Sequence, residues 1–142
     1  MTPKEYLSQA YRIEQRIKRK RERLMSIREC STDVSVSYSD MPHGGTANVH
    51  QMEDAILKAV QLENEIHEDT ILLADVREDI RKLIGQVHNE RYREVLEKRY
   101  LCCLSWGQIT DELHCSMACV LKRHREALNA IDCLLREREG TA

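Results

Sequence analysis

Five of the six cysteines lie in residues 102–133, and Cys102, Cys103, His114, Cys115, Cys119 and His124 together supply the thiolates and imidazoles of which structural zinc sites are made. Their spacing does not suit the metal. No C-x2-C pair is present, and Cys119, His124 and Cys133 fall on the inward positions of a helical period, where a thiol packs as a small hydrophobe. No cysteine has a base and an oxyanion donor arranged beside it in a known pattern, so nucleophilic catalysis has no support. The carboxylates Glu63, Glu65, Glu68 and Asp69 share one long helical stretch and read as a solvated face. The pair Gly44-Gly45 reads as a loop apex rather than a phosphate cradle. The expectation is a protein with no catalytic residue, no metal and no cofactor.

Two groups of cations remain. The run Lys18-Arg19-Lys20-Arg21, with Arg23, either pairs with acids on a neighbouring helix or touches nucleic acid. The second group, Lys122, Arg123 and Arg125, follows Ser116, Met117 and Leu121 at the start of a helical stretch. That arrangement suits the reading of duplex DNA, because a helix entering the major groove brings its first side chains to base edges while its cations and amides meet phosphate.

Net charge gives this chemistry no help: 22 basic against 24 acidic residues leave −2. The distribution is uneven, with nine basic and four acidic residues in 1–29, four and eleven in 30–89, and nine of each in 90–142. Any binding to an anion must come from a local field.

The elements that would position these groups are helices. Aromatics are 4% with no Phe, and only two Pro and five Gly punctuate 142 residues. Thr2, Pro3 and Glu5 form a capping box with proline at the first helical position. Tyr6, Ala10, Ile13, Ile17, Lys20, Leu24 and Ile27 then recur in steps of three and four as a coiled-coil seam. This helix should end near Cys30, before the β-branched and serine-rich 34–37, and residues 31–50 should form a flexible loop. A second helix should start near 48–51, with its seam on Met52, Ile56, Ala59, Leu62, Ile66, Asp69, Leu73, Val76, Ile80, Leu83 and Val87. The two fold back most simply as an antiparallel hairpin over 1–88, opposite charges facing. Beyond it, 89–142 break into shorter units: a helix over 92–100, a second capped by Ser105 with Trp106, Ile109 and Leu113 inward, a break at His114-Cys115, and a last helix capped by Ser116. Val120, His124, Ala127, Leu128 and Ile131 would be its inner face. Helix, short turn, helix is the pattern of a helix-turn-helix domain.

Tyr92-Arg93-Glu94-Val95-Leu96-Glu97-Lys98-Arg99-Tyr100, followed by Ser105-Trp106-Gly107-Gln108-Ile109-Thr110-Asp111-Glu112-Leu113 and by 116–128, resembles region 4 of sigma-70-type factors. Taken with Tyr6-Leu7, Ser39-Asp40-Met41-Pro42 and the segment 48–56, the whole chain resembles small sigma-like regulators of phages and mobile elements of Gram-positive bacteria, kin to late activators of the RinA and ArpU type. The resemblance implies an all-α fold and transcription regulation through double-stranded DNA. Ser116, Met117, Leu121, Lys122, Arg123 and Arg125 would lie at the DNA, with RNA polymerase as a further partner. Where the family has a small residue between the two helices this chain has Thr110. Where the family's turn has Gly it has His114, which would have to take up a left-handed conformation.

A homodimer through the hairpin is compatible with the seam, and a DNA-recognition subunit of a phage packaging complex is the alternative function. No run of about 18 apolar residues is present, so no membrane partner is expected. The first residues contain no apolar signal segment, which points to reduced thiols and a cytoplasmic location.

Overall fold

The computed structural model describes residues 1–37 and 45–140, and these are all-helical, with no strand among them. Helix α1, Pro3–Leu7, starts at the expected capping box: Thr2 Oγ1 accepts from the Glu5 amide at 3.2 Å and Glu5 Oε2 accepts from the Thr2 amide at 3.0 Å. After Ser8 the chain continues as α2, Gln9–Ser37, and then as α3, Gly45–Gly85. Helix α4, Glu90–Leu96, is capped by Asn89, whose side chain accepts from the Arg91 amide. A π-helical turn, Glu97–Leu101, extends it. Helices α5, Trp106–Leu113, and α6, Met117–Gly140, complete the chain.

Four expectations need correction. Cys133, expected on an inward position of the last helix, is exposed. Helix α2 does not stop near Cys30 but runs to Ser37. Each residue added to an existing helix adds one backbone hydrogen bond, whereas each Val, Ser or Thr costs only a few tenths of a kcal/mol, so weak propensity without a capping signal does not end it. Helix α3 likewise begins at Gly45, ahead of 48–51. The expected loop over 31–50 thus shrinks, and its central residues 38–44 lie outside the described residues. Ile56, placed in the seam, is 55% exposed. From Met52 the inward position lies three residues on, at Ala55, and a step of four turns Ile56 outward.

The chain divides into two compact units, 14–72 and 1–13 with 73–142. Within 14–72, α2 and α3 pair in antiparallel fashion. Arg16 and Lys20 of α2 bind Asp69 of α3, and Arg28, further along α2, pairs with Glu63, earlier in α3. Ile17, Leu24 and Leu62 are buried in this unit. Asp69 is buried too, held by Lys20 Nζ at 2.7 Å and Arg16 at 3.0 and 3.2 Å. The polar interruptions of the two seams, Lys20 and Asp69, therefore meet each other. These hydrogen bonds, Lys20 foremost, hold the Asp69 carboxyl below its ordinary 3.8 against the opposing effect of burial. Of the basic run, Lys18, Arg19 and Arg21 remain exposed, as does Arg23.

In the other unit, Leu7 and Ala10 share one buried cluster with Ile80, Leu83, Ile84, Val87, Leu96, Tyr100, Ala127 and Ile131. The base of the hairpin and the terminal helices thus form a common core, so the compact units do not part at residue 88. Arg138 donates to the Tyr6 hydroxyl at 3.3 Å across the same unit.

Replacing Ile17 by Ala should lower the unfolding free energy by about 2–5 kcal/mol, measured by denaturant titration. The contribution of Asp69 should be complete above its ordinary value of 3.8 and be lost as pH falls from there through its lowered folded value. Asp69→Asn should therefore reduce the melting temperature at pH 7 and shrink the wild-type loss of stability below pH 4, read by circular dichroism.

Candidate nucleic-acid interface

The turn between α5 and α6 is built by local chemistry. Ser105 Oγ accepts from the Gln108 amide at 3.2 Å while the Gln108 side chain accepts from the Ser105 amide at 2.9 Å, so α5 has a complete capping box. At its other end His114 takes φ 53° and ψ 41°, the left-handed conformation expected where the related pattern has glycine. His114 and Cys115 both donate their amides to the Thr110 carbonyl. The Thr110 hydroxyl donates to the Gly107 carbonyl at 2.7 Å within its own helix, so it leaves no unpaired group between the helices. Ser116 Oγ accepts from the Cys119 amide at 3.2 Å and caps α6.

Behind the turn, Val95, Ile109, Val120, Ala127 and Ile131 are fully buried. His124 joins them, packed edge-on against Trp106 with ring centres 4.7 Å apart and stacked on Tyr100 at 5.7 Å. Its Nε2 lies 2.7 Å from the Tyr100 hydroxyl. Burial first, then the charges of Lys4 and Arg99, lower the imidazole to about 4, and burial pushes the Tyr100 phenol up to about 12. Both are therefore neutral at neutral pH. Arg99 covers the Trp106 ring at 4.5 Å and donates to the Leu104 carbonyl at 2.9 Å. The π-helical turn sets up this stack: by holding Cys102 to the Glu97 carbonyl at 2.9 Å it inserts an extra residue, so Tyr100 turns to the core while Arg99 reaches Trp106. Sequence periodicity, which predicted one regular helix over 92–100, carries no sign of this insertion.

The outer side of α6 holds most of the expected site residues. Met117 and Leu121 are 44% and 43% exposed, and Lys122 and Arg125 are exposed with no ion pair to a described residue. Ser116 is exposed, with its hydroxyl engaged in the cap. Arg123 departs from the group: half-buried, it folds back along the helix and donates to Cys115 Sγ at 3.3 Å. Ala118 and Asn129, which the sequence reading passed over, are exposed on the same side as Leu121, Lys122 and Arg125. Counting 118, 122, 125 and 129 on a 3.6-residue period would have found them. Two acids of the module are engaged: Glu126 accepts from the Tyr92 hydroxyl at 2.6 Å, and Glu112 pairs with Lys98 at 2.7 Å, while Asp111 on α5 is exposed. Among the described residues no group of three or more His, Cys, Asp or Glu side chains could hold a metal ion, and no helix is long and apolar enough to cross a membrane.

The fold and this surface define an all-helical protein that presents a capped helix after a tight left-handed turn. A family model described as a protein of unknown function, DUF1492, matches residues 33–132, and the chain belongs to that family. No curated protein and no solved structure matches the chain.

Because the unfolded chain takes up a proton on His124 near 6.5 and the folded chain only near 4, the stability that neutral His124 contributes is present above pH 6.5 and is lost as pH falls from there to about 4. The wild-type melting temperature should decline across that window, and His124→Gln should flatten the decline while lowering the value at pH 7. Thermal denaturation at half-unit pH steps would measure both.

Proposed function

We propose that this protein is a DNA-binding transcription regulator of phage or mobile-element genes, similar in its last 50 or so residues to region 4 of sigma-70-type factors, and that it acts with RNA polymerase. The observation that carries the reading is the outer side of α6: Lys122 and Arg125 stand exposed with no ion pair to a described residue, beside exposed Met117 and Leu121, directly after a capped helix N-terminus. A chain of net charge −2 has no bulk attraction for DNA, so this local cluster and the first amides of α6 must supply it. The left-handed His114 turn and the resemblance of 92–100 and 105–113 to the sigma module support the same reading. In that module the helix after the turn reads bases and its cations meet phosphate. Arg123, occupied with Cys115, serves the turn rather than the DNA.

The test is a titration of labelled duplex fragments at several salt concentrations. Affinity should fall steeply with salt, and Lys122→Ala should weaken binding to all sequences and lower the salt slope by about 1. Lys122→Ala combined with Arg125→Ala should lower affinity further, with an unchanged melting temperature. Unaltered binding by the double variant would remove α6 as the DNA contact.

A further inference from the structure

Phosphate binding alone explains the cations of α6 but not the apolar side chains between them. Met117 and Leu121 leave nearly half of their surface in water, one turn apart, and exposed Ala118 lies beside them. Large apolar groups gain on the order of 1.5–3 kcal/mol each from complete burial, and the interior behind α6 is already filled by Val120, Ala127 and Ile131. The patch is therefore an outward-facing surface, and its surroundings define what suits it. The first three turns of α6 contain one acid, Glu126, whose carboxylate is engaged by Tyr92. Lys122 and Arg125 flank the patch with no ion pair to a described residue. A surface that is apolar at its centre, cationic at its edge and without a free anion in its own three turns complements a polyanion that carries apolar groups. In the major groove of DNA the only such group is the C5-methyl of thymine, set between two rows of phosphates. Met117 and Leu121 are four residues apart, about 6 Å along the helix, comparable with about two base-pair rises of roughly 3.4 Å.

We propose, resting on the DNA-reading function above, that Met117 and Leu121 are specificity-determining residues that pack against the 5-methyl groups of thymines one or two base pairs apart, with Lys122 and Arg125 anchoring the helix to the flanking backbone. The site thus selects thymine by its methyl group.

The test uses the full chain and a duplex that it enriches from a random pool. Each thymine of that duplex is replaced in turn by deoxyuridine, which keeps base pairing and removes only the methyl. At one or two neighbouring positions Kd should rise about fourfold, the equivalent of about 0.8 kcal/mol for one buried methyl. Met117→Ser or Leu121→Ser should abolish the thymine–uracil difference at one of those positions. Both residues are exposed, so the helix content of the variants should equal that of the wild type. The proposal is overturned if the wild type binds its enriched duplex with the same Kd after every replacement. It is equally overturned if both variants keep the full difference, an outcome that would assign the reading of the methyl to other residues. Failure to enrich or bind any duplex would instead overturn the DNA-reading function itself, and this proposal with it.

Discussion

One carboxylate sets the register of the hairpin. Asp69 stands in the seam of α3 where an aliphatic residue would otherwise pack, and it is tolerated there because Lys20 and Arg16 of α2 both reach it. An isolated buried carboxylate is expensive to desolvate, whereas one bound by two cations is compensated. A slip of α2 by about one turn would set Asp69 against Ile17 or Leu24 and leave Lys20 facing an apolar neighbour. The ion cluster thus acts as a key: the aliphatic seam supplies the attraction and is nearly indifferent to register, while the single polar position accepts one alignment. The charge asymmetry of the sequence, basic early and acidic later, follows in part from this pairing, which Arg28 and Glu63 repeat further along.

A second constraint operates around His124. Its ring is enclosed by Tyr100 and Trp106, and Arg99 closes the far side of the indole. These residues come from the π-helical turn, from α5 and from α6, so a single stack fixes the mutual placement of three successive elements. Polar atoms in a core restrict geometry more sharply than aliphatic ones, since they require a partner at a set distance. The outer side of α6 is held in a definite orientation by this stack behind it.

Much of this could be read from residue order alone, for identifiable reasons. Caps and seams are short-range: Thr2 with Glu5, Ser105 with Gln108 and the three-four recurrence of apolar residues depend on neighbours within a turn or two, and these elements stand where their signals put them. A helix end without a capping residue has no such signal: the reluctance of 34–37 to be helical is small beside the hydrogen bond that each further residue adds. Ile56 was misjudged because steps of three and four are both allowed and only the opposite helix chooses between them. At the candidate surface, the period of α6 indicated which side Leu121, Lys122 and Arg125 occupy. It could not indicate that Arg123 would find the sulfur of Cys115, or that Arg99 would lie on Trp106, since those contacts depend on a turn and an inserted residue with no local signature.

The core that joins Leu7 and Ala10 to Ala127 and Ile131, with Tyr6 bound to Arg138, has a consequence for the order in which the molecule is made. On the ribosome residues 1–13 emerge more than a hundred residues ahead of their packing partners Ala127 and Ile131 on α6. Contacts so distant in sequence are slow to form because the intervening chain must first be closed into a loop. The 14–72 hairpin, whose two helices need only each other, is free to form during synthesis, whereas the N-terminal turn meets Ile80, Leu83, Ile84 and Val87 first and gains Ala127 and Ile131 only at the end. Residues 1–13 are thus completed late, although the start of their helix is marked locally by the cap at Thr2.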